Sequence, residues 1–119
     1  MNDTEKLRTL ESLLTLEHSL GRSIAALKTY RDMFANYQET LSLNVQIPNL
    51  EAELAKVRAN EIAYFANANQ FTPPSPDQAA LIKAKSQELD ALTLQAGAAD
   101  SILQLAAAGL KAWHDSNAA

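Results

Sequence analysis

The sequence predicts an all-α fold, an antiparallel bundle of three long helices with coiled-coil-like packing, and three observations carry that prediction. Leu and Ala dominate the apolar residues, while valine occurs only at Val45 and Val57. Strong helix formers are therefore abundant and the β-branched material of strands is scarce. Apolar residues recur at spacings of three and four, the period of one helix face. Finally, Pro48 and the cluster Pro73, Pro74 and Pro76 punctuate the periodic stretches and divide the chain into three blocks, about 4–42, 48–70 and 76–115.

The first block carries the stripe Leu10, Leu13, Leu20, Ile24, Leu27, Phe34 and Leu41, widened by Leu7, Leu14, Leu16, Tyr30, Met33 and Tyr37. Thr4 is a candidate cap. Gly21 in mid-block costs about 1 kcal/mol relative to Ala and marks a possible bend. The second block is expected to begin at Pro48, whose missing N–H suits a first helical position, with Glu51 and Glu53 near the positive end of the macrodipole. Its stripe is Leu50, Leu54, Val57, Glu61, then Tyr64 or Phe65, and Ala68. The third block opens on Ser75-Pro76-Asp77-Gln78, a capping box with proline at the first helical position. From Ile82 to Trp113 a 3-4 rhythm argues for one long helix, with Gly97 as the alternative break.

At 119 residues the chain is read as one domain, 1–119. Its net charge of −4 is interspersed and offers a phosphate backbone no basic surface. Arg22, Lys28, Tyr30, Arg31 and Phe34 mix basic and aromatic side chains, but Tyr30 and Phe34 belong to the apolar stripe, so nucleic-acid binding is not expected. Cysteine is absent, which removes disulfide and thiolate chemistry. The polar start Met1-Asn2-Asp3-Thr4-Glu5 is unlike a signal peptide, and a cytoplasmic protein is expected. Between Ala91 and Leu110 the only charge is Asp100, yet Thr93, Gln95, Ser101 and Gln104 make burial against other helices a better reading than a membrane span.

No residue pattern points to catalysis, a cofactor or a metal. His18 and His114 stand in no metal-ligand spacing, and His114-Asp115-Ser116 is too compact to form a triad. Counting from the expected loops brings Arg31, Glu61 and Lys85 to one height, a polar layer that would fix register or, in an alternative reading, form a ligand or catalytic site. If the outer two blocks are unbroken helices, they overhang the shorter middle one. Leu7, Leu10, Leu13 and Leu14 at one end, and Leu103, Leu110 and Trp113 at the other, would then be exposed apolar surface. Phe71, in the second linker, either tucks under helix ends or meets a partner. The expected function is that of a non-enzymatic protein–protein interaction module, an adaptor, inhibitor or assembly factor, that works through helical surfaces and forms a homodimer over the overhangs. An amphipathic membrane-active protein is the other alternative.

Overall fold

The computed structural model describes residues 1–117. Among them there is no strand, and four helices replace the three expected: α1 (Asp3–Met33), α2 (Tyr37–Ala66), α3 (Pro76–Ala91) and α4 (Ala98–Ser116), with a single 3₁₀ turn at Ala68–Gln70. At 1.5 Å per residue, α1 and α2 run about 45 Å and α3 and α4 only about 24 and 28 Å. The proportions expected from the sequence are thus reversed: the second helix is as long as the first, and the third block is the divided one.

Each boundary has a local cause. Helix α1 starts at Asn2, not Thr4: the Asn2 side chain accepts from the Glu5 N–H at 2.8 Å and the Glu5 carboxylate accepts from the Asn2 N–H at 3.0 Å. The same Asn-x-x-Glu box recurs at Asn36 and Glu39 and starts α2 eleven residues before Pro48 is reached. Only Ala35 separates the Phe34 C-cap of α1 from that cap, so the first turn falls at 34–36 and not at 42–48. Pro48 is therefore interior to α2, and exposed. Gly21 does not bend α1, which passes through it unbroken, and a Cβ there would meet nothing within 4 Å. Ser75 caps α3 as the sequence predicts, with Gln78 completing the box. The last block breaks across 92–97: α3 ends at Ala91, Leu92 is extended, and Gly97 closes the connection. Its φ of +87° is left-handed backbone that glycine adopts without a Cβ penalty, and α4 begins immediately after it.

The helices run up, down, up and down, as their end contacts establish. Met1 at the start of α1 donates to Asn69 beyond the end of α2 (3.1 Å), and the Tyr64 hydroxyl donates to the Lys6 carbonyl (3.0 Å). Arg8 donates to the Pro74 carbonyl just before α3, and Asn117 after α4 exchanges two hydrogen bonds with Thr72. At the opposite end one residue gathers three helices. The buried Tyr30 of α1 donates its hydroxyl to Glu39 in the first turn of α2 and accepts the Gly97 N–H, at 3.1 Å, at the start of α4. The Glu39 bond pushes the Tyr30 hydroxyl above its ordinary pKa and holds the Glu39 carboxyl below its own.

The core sits around α1, the one helix that packs against all three others. Leu13, Leu16, Leu20, Leu27 and Tyr30 meet Leu43, Ile47 and Val57 of α2, Ile82 and Leu89 of α3, and Ile102, Ala106 and Trp113 of α4 in one buried cluster. Thr9, Ser12, Ser19 and Ser23 are buried on α1 as well, and Thr9 and Ser23 satisfy their hydroxyls on the carbonyls of Glu5 and Ser19, one turn back. Along its length α2 packs chiefly against α1, with α4 reaching it where His114 approaches Glu53, while α3 and α4 also pack on each other.

The two starts offered for α2 make opposite predictions for Pro48. An interior proline removes a ladder bond and costs about 3 kcal/mol relative to Ala, whereas a proline at a helix start is favourable. Pro48→Ala should therefore stabilise the protein by about 1–3 kcal/mol in denaturant unfolding. A loss of stability would contradict a helix that begins at Tyr37.

Candidate interaction surface

The overhangs expected from the sequence do not exist as a pair of exposed stripes. Because α4 turns back at Gly97, its C-terminal end lies along α1, and Trp113 is 1% exposed with its ring 6.0 Å from that of Phe71. Leu103, Leu110 and Phe71 are half-buried against the core, Leu13 is fully buried and Leu10 half-buried. Only Leu7 and Leu14 remain substantially exposed. Gly109 adds to this closure by placing α4 on Leu16, whose Cδ2 would lie 3.4 Å from an added Cβ.

The polar layer is also dispersed. Arg31 donates to Asn44 at 3.0 Å, and Lys85 pairs with Glu88 on its own helix at 3.2 Å. Glu61 lies instead near Glu17 and Arg58, which pair with each other at 3.2 Å. The three side chains separate because the first turn is at 34–36, and the early start of α2 moves Glu61 toward the beginning of α1. Glu61 does occupy the core-facing row Leu43, Ile47, Leu50, Leu54, Val57, Glu61 and Tyr64, and its Oε1 is buried without a hydrogen-bond partner. Burial first, and then the Glu17 charge, push its carboxyl above the usual range against the opposing pull of Arg58.

A second row on α2 was not foreseen. On the side turned away from α1 stand Leu41, Val45, Pro48, Ala52, Ala55, Ala59, Ile62 and Ala66, spaced 4, 3, 4, 3, 4, 3, 4, and every one is exposed. Leu41 is 50%, Val45 61% and Ile62 74% exposed. None of the six charged residues of α2 (Glu39, Glu51, Glu53, Lys56, Arg58 and Glu61) falls on this row. The row continues at the tip of the α1–α2 turn, where Met33 and Tyr37 are 68% and 77% exposed. Alanine on a solvent face is what helix propensity alone selects. Val, Ile, Tyr and Pro are poorer choices there than Lys, Gln or Glu, so propensity does not account for the row. Helix α2 is thus apolar on two opposite faces, a pattern typical of a helix buried on both sides.

Other features offer less chemistry. His18 pairs with Asp90 at 2.9 Å and His114 approaches Glu53 at 3.8 Å, and among the described residues no three His, Asp or Glu side chains converge in a way that could hold a metal. No described helix is long and apolar enough to cross a membrane. Compared with known protein families, curated proteins and solved structures, the chain matches none.

Glu61 supplies a test of the core-facing row. Its folded-state pKa is raised above the ordinary 4.5, so the folded chain binds that proton more tightly than the unfolded one, and stability is lost as pH rises through this interval. Glu61→Gln should be more stable than wild type at pH 7, and the gain should vanish below about pH 4.5, the ordinary value of the carboxyl. A difference independent of pH would mean that the carboxylate is solvated.

Proposed function

We propose that this chain is a non-catalytic interaction module that engages a protein partner through the outer face of α2. The observation that carries the reading is the row from Leu41 to Ala66, apolar at all eight positions and exposed at all eight. A 3-4 repeat of that length matches the repeat of another helix, so that knobs from one enter holes on the other. Leu41, Val45 and Ile62 are the larger knobs, and burying each is worth roughly 1.5–3 kcal/mol when complete. Ala52, Ala55 and Ala59 between them allow close backbone approach. Contiguous exposed apolar surface of this kind marks interaction sites in folded proteins.

The charge balance of α2 favours protein over lipid. Glu39, Glu51, Glu53 and Glu61 outnumber Lys56 and Arg58 on α2, whereas a helix that lies on an anionic membrane carries a basic polar face.

Site-specific photo-cross-linking in the cells that make the protein tests this. A benzophenone amino acid at Ala55 should give a discrete protein adduct, lost when Ala59→Glu is added, while the same probe at the exposed Gln87 of α3 should give none. An absence of adduct specific to Ala55, or a lipid adduct in its place, would overturn the reading.

A further inference from the structure

We infer that the occupant of the outer α2 row is the same row of a second copy, laid antiparallel across a two-fold axis. The inference rests on the proposed role of that face and adds the identity and direction of the partner. Three properties of the row support it.

The first is size complementarity. In an antiparallel pairing centred between Ala52 and Ala55, Val45 lies opposite Ile62 of the partner subunit and Leu41 opposite Ala66 of the partner subunit. Pro48 then faces Ala59 of the partner subunit, and Ala52 faces Ala55 of the partner subunit. Leu41 and Pro48 thus meet alanines, Val45 packs on Ile62, and the alanine pairs at the centre let the helices approach closely. The two-fold repeats each contact in reverse and leaves no unmatched copy of the surface, so the assembly closes at two chains. A parallel pairing would set Pro48 on Pro48 and Leu41 on Leu41, which crowds one end and wastes the small residues.

The second is charge. Beside the row on one edge stand Asn44, Glu51, Arg58 and Phe65, at intervals of seven. Antiparallel helices bring such an edge against itself, which places Glu51 beside Arg58 of the partner subunit and, by symmetry, Arg58 beside Glu51 of the partner subunit. Glu51 holds Lys28 only loosely, at 3.6 Å, and Arg58 is 61% exposed although it meets Glu17. Both are free to share a second partner at the rim. No like charges are opposed, although each chain carries a net charge of −4.

The third is the helix dipole. Antiparallel α2 helices oppose their macrodipoles, whereas parallel ones would set two positive ends side by side. The remaining helices do not obstruct the approach, since α2 packs chiefly on α1 and all eight positions of the outer row are exposed.

The chain has no cysteine, so single introduced cysteines report the pairing without background. Full-length Val45→Cys, carrying a size tag, is mixed with untagged Ile62→Cys and oxidised. The mixed disulfide should form at least about tenfold faster than either variant's disulfide with itself, because only that pair brings Cβ atoms within bonding range. Ala55→Glu should abolish the cross-link and leave helicity unchanged. Efficient self-linking of Val45→Cys would overturn the antiparallel arrangement. No disulfide in any mixture, together with a scattering mass of 12.9 kDa for the wild-type chain at high concentration, would overturn the second copy altogether. In that event the Ala55 photo-adduct separates the two claims: an adduct with a different protein leaves the interaction role standing, and no adduct removes both.

Discussion

Helix α1 is packed by three helices at once, and the rest of the architecture follows from that crowding. Its buried positions run from Thr9 to Tyr30 and serve α2, α3 and α4 together. With the α3–α4 hairpin and α2 both placed on α1, α2 gains one long neighbour only. The Tyr30 hydroxyl closes this arrangement at one end by joining the first turn of α2 to the Gly97 backbone. At the other end Trp113, Phe71 and the Asn117–Thr72 pair do the same for α4 and the linker. A bundle fastened at both ends to one central helix leaves little freedom in register. It does leave the far face of α2 without an internal partner.

That consequence links fold to function more firmly than any single residue does. The exposed row on α2 would be unremarked on a helix whose solvent face carried charges. Here none of the charges of α2 falls on the outer row, and apolar residues dominate both the face toward α1, apart from Glu39 and Glu61, and the face toward solvent. The flanks also provide the polar rim that an interface needs. Natural interfaces combine an apolar centre with such a rim, and the specificity of helix pairing resides largely in the flanking charges.

Much of this was legible in the sequence, and the failures have identifiable physical causes. The Ser75 box and the core positions Leu20, Ile24 and Leu27 could be read directly, whereas the division of the last block could not, because the 3-4 rhythm runs on across Gly97. The first turn could not, because Pro48 was a more conspicuous signal than Asn36-Tyr37-Gln38-Glu39. Proline favours a helix start, yet α2 tolerates it in its interior on the exposed face. The Asn-x-x-Glu pattern at 2–5 and again at 36–39 was the available clue, and it is as sound a cap as Ser75. That single misplacement also hid the outer row. With a loop assumed at 42–48, Leu41 and Val45 belong to a different segment from Ile62, and a repeat that crosses the boundary is invisible. A loop at 42–48 would also level Arg31 with Glu61 and Lys85, and the turn at 34–36 removes that alignment.

Small-angle scattering over a concentration series tests the central claim, that the outer face of α2 is covered by the same face of a second copy. The single chain has a radius of gyration of 15.0 Å and a long axis of 49 Å. Side-by-side pairing through the middle of α2 should raise the radius of gyration and double the mass as concentration increases, while the longest dimension grows only slightly. Ala55→Glu should hold both values at those of one chain. A wild-type chain that keeps 15.0 Å and 12.9 kDa throughout the series would contradict self-pairing through α2.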